Sequence, residues 1–242
     1  MGAARYISTS AAYMAVLRDL LLAPQFTVGA RGYPSHEIMN YMLTVTSPKS
    51  TPIITKSQKR NAVIIRYLEA EKALYLAGEL HAEVWASKAS KFWKSIANDD
   101  GTINSNYGWL ALYNKSLPGG LTPWEWTKVS LEKDKESRQA YLRLALPQHQ
   151  WIGNRDQVCT LHVMFMIRNS ELHATTVMRS NDVVKGLIYD MPWFVYLQEK
   201  MAAELGVPVG TYSHLAHSMH LYDKDTGLAR QMLYGENKPD DE

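Results

Sequence analysis

The chain has a single cysteine in 242 residues, no apolar run near membrane length and almost no excess of either charge. One thiol cannot close an intramolecular disulfide, and no N-terminal stretch joins a basic head, an apolar core and a small-residue cleavage site, so the chain reads as cytoplasmic. Runs such as Leu20 to Ala23 and Val63 to Ile65 fall far short of the roughly 20 residues that span a bilayer. With 26 basic and 24 acidic residues the formal charge is +2, which lacks the concentrated Lys and Arg of a nucleic-acid footprint. The run Lys56-Ser57-Gln58-Lys59-Arg60 reads as a solvated helix start. No linker rich in Pro, Gly or Ser and no internal repeat divides the chain.

What is present is a full core. At 46% hydrophobic residues the chain is expected to form one α+β domain over 1–242, with an acidic, disordered tail at about 236–242. Apolar spacing predicts helices over Ser10 to Leu22, Gln58 to Ala77 and Trp85 to Ala97. Further helices are expected from Trp124 to Lys128, from near Lys133, and from Met191 to Leu205 with Pro192 in its first turn. Strands are expected within Gln25 to Ser47, over Val158 to Ile167, Leu172 to Met178 and Val209 to Tyr222, the middle two joined as a hairpin at Asn169-Ser170. Strict alternation would place Cys159, Leu161, Val163, Phe165 and Ile167 on one face and Thr160, His162, Met164 and Met166 on the other.

A lone cysteine usually packs as a small hydrophobe. Cys159, however, stands upstream of a dense polar run, Met178-Arg179-Ser180-Asn181-Asp182, followed by Gly186 and Asp190. A thiol near an arginine suits a covalent enzyme for an anionic substrate, because a cation favours the thiolate and a guanidinium fork suits oxyanions. Taken singly, Arg179 also reads as a surface ion-pair partner, Asp182 as a cap and Asp190 as the N-cap of the helix starting at Met191.

The spacing resembles the thymidylate synthase family, in which a nucleophilic cysteine precedes an Arg-Ser-x-Asp segment, a Gly and an Asn. Cys159, Arg179, Ser180, Asp182, Gly186 and Asp190 fall on it without a gap. Glu71 to Gly78 is similar to the family's Glu-Leu-Leu-Trp-Phe-Leu-x-Gly helix, Phe92-Trp93 to its folate-side Trp, Tyr107-Gly108 to its Tyr-Gly, and His220-Leu221-Tyr222 to its His-x-Tyr. Within the family, Ile103 to Trp109 and Met178 to Val184 resemble the phage deoxycytidylate hydroxymethylases, as does Thr160 where the synthases have His.

The resemblance implies a thymidylate synthase-like fold, a large mixed β-sheet flanked by helices and dimerising through the sheet face. It implies a covalent bond from Cys159 to C6 of a pyrimidine, proton transfer by Glu71, phosphate binding by Arg179 and Ser180, and sugar binding by His220 and Tyr222. Tyr107 would line the nucleotide site, while Asp182, Trp93 and Gly186 would face methylenetetrahydrofolate, with no metal involved. Asp190 stands where the synthases have Asn. A carboxyl accepts from cytosine's amino group and in its protonated form donates to N3, which points to dCMP.

The sequence departs from the pattern in three places. Ser137-Arg138-Gln139 replaces an Arg-Arg pair, leaving Arg138 to reach a partner subunit's phosphate. Met164 replaces a Gln, and Arg31 is offset by one position from the family's N-terminal phosphate arginine. A short ending after Tyr222 favours the hydroxymethyl product over the methyl one. The alternatives are a dCMP methyltransferase, a CMP or dUMP hydroxymethylase, a non-catalytic nucleotide binder, and a cysteine hydrolase using His162, His214, His217 or His220. Metal binding by the last three is disfavoured, since their spacing is not a one-face strand pattern.

Overall fold

The computed structural model describes residues 4–236, the side chain of Arg31 excepted. Its strands are β1 (Ala4–Tyr6), β2 (Phe26–Val28), β3 (Ser35–Val45), β4 (Tyr141–Arg143), β5 (Thr160–Arg168), β6 (Glu171–Met178), β7 (Asn181–Asp182) and β8 (Val209–Tyr222). Its helices are α1 (Thr9–Leu22), α2 (Gln58–Leu76), α3 (Ala82–Lys88), α4 (Phe92–Ile96), α5 (Tyr107–Leu112), α6 (Pro123–Lys133), α7 (Ile188–Leu205) and α8 (Thr226–Tyr234). The strands form one mixed sheet in the order β1-β3-β8-β6-β5-β4, with β2 on β3 and β7 on β8. No helix among the described residues is long and apolar enough to cross a membrane.

Local chemistry sets the helix ends. Ser8 accepts from the Ala11 amide at 3.2 Å to open α1, and Thr122 and Glu125 form a reciprocal capping box ahead of α6; each such cap contributes about 1 kcal/mol. Gly78, at φ +63°, ends the α2 segment. The α2–α5 contact requires Gly108, where a Cβ would stand 2.0 Å from the Tyr75 carbonyl oxygen.

Helices α1, α6 and α7 pack on the sheet, and α2 and α5 pack behind them. Helix α7 is buried almost all round, including Trp193, Phe194, Leu197 and Met201. Each of these apolar side chains contributes about 1.5–3 kcal/mol on burial. Gln198 ties the helix to the sheet by donating to the Leu172 carbonyl at 2.8 Å. Because α7 is central, Asp190 in its first turn and Gln198 further along are taken out of water, while Glu204 near its end stays exposed.

Five expectations change. The helix expected over Trp85 to Ala97 is broken into α3 and α4, because Ser90 Oγ accepts from the Phe92 amide at 3.2 Å and so draws the backbone out of the helical path. No helix starts near Lys133: α6 itself runs to Lys133, carried by buried Trp124, Thr127 and Leu131, and the chain then turns where Asp134 accepts from the Glu136 amide. Helix α7 begins at Ile188, fed directly by a π-helical turn over Val183–Leu187, so Pro192 is its fifth residue and Asp190 does not cap it. Strict alternation fails in β5, where a bulge between Thr160 and His162 turns Thr160 to the buried side with Val163 and Phe165. Glu236, assigned to the tail, accepts from Ser57 Oγ at 2.6 Å; the rest of the expected tail lies outside the described residues.

Candidate active site

Cys159 sits just before β5, half-buried. Arg179 follows β6, and its amide donates to the Cys159 carbonyl at 2.9 Å, so the hairpin pairing itself brings the two residues together. Arg179 Nε donates to the Val158 carbonyl at 3.0 Å, and one Nη2 hydrogen serves the Gln157 carbonyl. Nη2 also lies 3.5 Å from Cys159 Sγ. A guanidinium has five donors, so the two on Nη1 are left over, and Ser180 beside it has no hydrogen-bond partner among the described residues. The pair can serve the sulfur and an oxyanion at once.

Two buried carboxyls lie close enough to sense each other. Glu71, on α2, is buried, and that burial, with the negative charge of Asp190, pushes it up to about 8. Asp190, on α7, is pushed up to about 6 by burial, against the opposing donation from Asn181 and with a further rise from Asp182. Near neutral pH Glu71 is therefore mainly an acid and Asp190 mainly a carboxylate. Tyr107 is buried near Asp190 and the thiol: its hydroxyl is raised well above the usual range by burial, then by the charges of Asp190 and Cys159.

Asp182 Oδ1 accepts from the amides of Val184 and Lys185 at 2.8 and 3.1 Å, so the capping role read from the sequence is present. Its Oδ2 has no partner among the described residues. Burial raises its pKa, and His220, its register partner on β8, opposes that rise. A carboxylate half-committed to backbone keeps its other oxygen for a further donor. The rings of His220 and Tyr222 meet edge to face, 5.0 Å apart.

Trp93 is buried, packs 4.5 Å from Trp85 and donates from Nε1 to Tyr67 Oη at 3.1 Å. The exposed ring at this position is Phe92. Tyr67 in turn packs, tilted by 44°, 4.4 Å from Tyr189 and faces Glu71. Gly186 lies in the π-helical turn, where a Cβ would stand 2.7 Å from Asn181 Nδ2 and 3.1 Å from Asp190 Oδ2. Its local task is to leave room for those two side chains.

Arg138 is not part of this cluster. It is exposed in the loop after α6 and lines a groove of about 730 Å³ with Trp126, Lys133, Gln139 and Arg168. Arg31 lies in a 3-10 turn at Ala30–Gly32, and its side chain is outside the described residues. The three histidines of β8 do not act together: His214 is buried, His217 reaches out to Asn40 at 2.7 Å, and His220 faces Asp182. Sequence reasoning passed over Asn181, which donates to Asp190 Oδ2 at 2.7 Å, and the tyrosines that face Glu71. The signal for the first was available, since Asn181 lies inside the quoted motif.

The thymidylate synthase family model matches residues 11–240. The chain belongs to the thymidylate synthase family. This places it among the transferases that move a one-carbon unit from methylenetetrahydrofolate to a pyrimidine nucleotide. It is 28% identical to the deoxycytidylate 5-hydroxymethyltransferase of Enterobacteria phage T4 over 169 residues, which is 65% of this chain and 67% of that protein. It is 33% identical to the deoxyuridylate hydroxymethyltransferase of Bacillus phage SP01 over 159 residues, 60% of this chain and 42% of that one. The fold is shared with a thermostable thymidylate synthase A from Bacillus subtilis, with a TM-score of 0.71 and 17% identity over 94% of this chain and 84% of that chain. The mixed sheet flanked by helices is thus the expected one.

Proposed function

We propose that the protein converts dCMP to 5-hydroxymethyl-dCMP. The observation that carries this reading is Asp190, a buried carboxyl pushed up to about 6 with Oδ2 held by Asn181 at 2.7 Å and Oδ1 without a partner among the described residues. A carboxyl that exchanges a proton near neutrality matches cytosine, which offers an amino donor and a ring-nitrogen acceptor side by side.

Cys159 adds as thiolate to C6, which makes C5 nucleophilic, with Arg179 holding the sulfur on one side and the phosphate, together with Ser180, on the other. His220 and Tyr222 take the sugar, and Tyr107 closes the base side. Asp182 Oδ2 receives the pterin edge, and Trp93 supports that wall through Tyr67. When bound, methylenetetrahydrofolate supplies carbon at the oxidation level of formaldehyde. Bonding of that carbon to C5, loss of the C5 proton, departure of tetrahydrofolate as the carbon's bond to its nitrogen breaks, and addition of water with release of Cys159 from C6 give the hydroxymethyl group with no net oxidation. Glu71 moves the protons in this scheme. A cavity of about 20 Å³ borders Glu71, Tyr75 and Trp193, enough for one water, and the buried Trp193 Nε1 has no partner among the described residues.

The outer sheet face exposes Met39, Met42 and Tyr141. An apolar patch of this kind suits a second copy of the chain, which would bring Arg138 to the phosphate of its partner's site. Product mass after incubation with methylenetetrahydrofolate and dCMP, CMP or dUMP tests the reading. A gain of one hydroxymethyl group on dCMP is expected; a methyl gain, or turnover of dUMP alone, would replace it.

A further inference from the structure

Behind Asp190 runs a chain of buried polar side chains that the carbon-transfer scheme leaves unused. Asn181 Nδ2 donates to Asp190 Oδ2 at 2.7 Å, and Asn181 Oδ1 is 3.1 Å from His214 Nε2. His214 Nδ1 is 3.0 Å from the Tyr212 hydroxyl, which is 3.0 Å from Thr176 Oγ1. His214, Tyr212 and Thr176 are fully buried. Their alignment depends on a phase change in β8: the buried positions are even up to Ala216 and odd from Met219. Opposite the change, Asn40 of β3 adopts φ +52°. The shift leaves His214 on the same side as Asn181, which registers with Met219.

The donor directions follow from the chemistry. A carboxyl oxygen facing an amide receives its N–H, so Asn181 turns its NH₂ to Asp190 and its oxygen to His214. His214 must then donate from Nε2. Burial pushes this histidine down to about 3, so it carries one proton and Nδ1 accepts the single hydroxyl proton of Tyr212, which leaves the Tyr212 oxygen to accept from Thr176 Oγ1. While Asp190 is ionised the Asn181 amide cannot flip without setting oxygen against oxygen, and a flip on protonation would also require His214 to move its proton to Nδ1 and Tyr212 to turn its hydroxyl proton away. Asp190 therefore loses the equivalence of its two oxygens: Oδ2 is an acceptor whether or not the group is protonated, and any proton sits on Oδ1.

We infer that Asn181, locked by His214, is a positioning residue that sets base choice by confining the Asp190 proton to the oxygen that meets cytosine N3, leaving Oδ2 to accept from the N4 amino group. The inference rests on the dCMP reading above. Uracil demands the reverse order, an acceptor toward N3–H and a donor toward O4, and that would put the proton on the oxygen already facing an amide N–H. Gly186 belongs to the same device, because only a residue without Cβ leaves the Asn181–Asp190 bond unobstructed.

The test is the ratio of kcat/KM for dCMP over dUMP, with its pH dependence, in wild type, Asn181→Ala, His214→Gln and His214→Phe. The titratable groups that face Asp190 are Glu71 and Tyr75 from α2, Tyr107 from α5, and Asp182 from β7; Tyr212 of β8 also senses its charge. None of these is altered in the four proteins compared. Asn181→Ala is expected to lower the ratio about tenfold or more, chiefly through the KM for dCMP, and to move the Asp190 limb of the profile to higher pH. His214→Gln, which offers an N–H to Asn181, should restore what His214→Phe loses, and this pair reads the coupling even if Asn181→Ala folds poorly. A ratio and a pH limb unchanged in Asn181→Ala, or in both His214 variants, overturn the positioning role alone. A wild type that makes no product from dCMP overturns the cytosine assignment and the inference with it.

Discussion

Nη2 of Arg179 lies 3.5 Å from Sγ of Cys159, and the same guanidinium is anchored on the carbonyls of Gln157 and Val158. The arginine is thus fixed by the backbone immediately before the residue it serves. A long side chain usually loses rotamer entropy when it binds an anion; here much of that loss is already taken in folding.

Two substitutions separate the roles at this point. Cys159→Ser should abolish carbon transfer, by at least about a thousandfold, while dCMP binding measured by calorimetry stays near wild type. Substantial turnover in this variant would remove the covalent step.

Arg179→Lys keeps the charge but cannot span two backbone carbonyls, the sulfur and a phosphate. Loss of charged hydrogen bonds of about 1.5–3 kcal/mol should raise the KM for dCMP roughly 10- to 100-fold and slow the alkylation of Cys159 by iodoacetamide. Retention of both values would mean that Arg179 is only a structural tie.

Gly186 has ordinary backbone angles, so alanine there is a purely steric change. Its Cβ would stand 2.7 Å from Asn181 Nδ2, and overpacking of this kind costs about 1–3 kcal/mol. Gly186→Ala should lower Tm and, in addition, weaken dCMP binding. A loss of Tm with nucleotide affinity intact would confine Gly186 to packing.

Much of this was legible in the sequence, for identifiable reasons. Strand β8 was predicted from Val209 to Tyr222, a segment that no Pro, Asn or Asp interrupts, and the β5–β6 hairpin because Asn169-Ser170 is a turn signal, the two residues adopting φ 51° and 63°. Cys159, Arg179 and Ser180 could be singled out because one short stretch of chain carries them, and the hairpin does bring Cys159 and Arg179 together. What escaped depends on single-residue phase shifts: the bulge that turns Thr160 inward, the π-helical turn that starts α7 early, and the switch in β8 that lets His214 reach Asn181. Such shifts leave composition and periodicity almost unchanged, and the contact they create joins residues 33 positions apart.

Asp190→Asn restores the amide found in the synthases. It removes the exchangeable proton and gives the position a donor and an acceptor suited to uracil. The ratio of kcat/KM for dUMP over dCMP should rise about tenfold or more, and the pH limb assigned to Asp190 should vanish. An unchanged ratio would remove Asp190 from base selection.

The two raised carboxyls also tie stability to pH. Glu71 rises from 4.5 to about 8 and Asp190 from 3.8 to about 6, so between these limits the folded state binds more protons than the unfolded one. Stability is then fullest below the unfolded values and is lost as pH rises through the folded ones. The loss from Glu71 should continue to about pH 8 and amount to several kcal/mol, since each tenfold gain in proton affinity on folding is worth about 1.4 kcal/mol. Tm should therefore fall between pH 5 and 8 in wild type, and Glu71→Gln, which cannot ionise, should flatten that decline while abolishing turnover. If Glu71→Gln melts with the wild-type slope, Glu71 is not the buried acid that the geometry makes it.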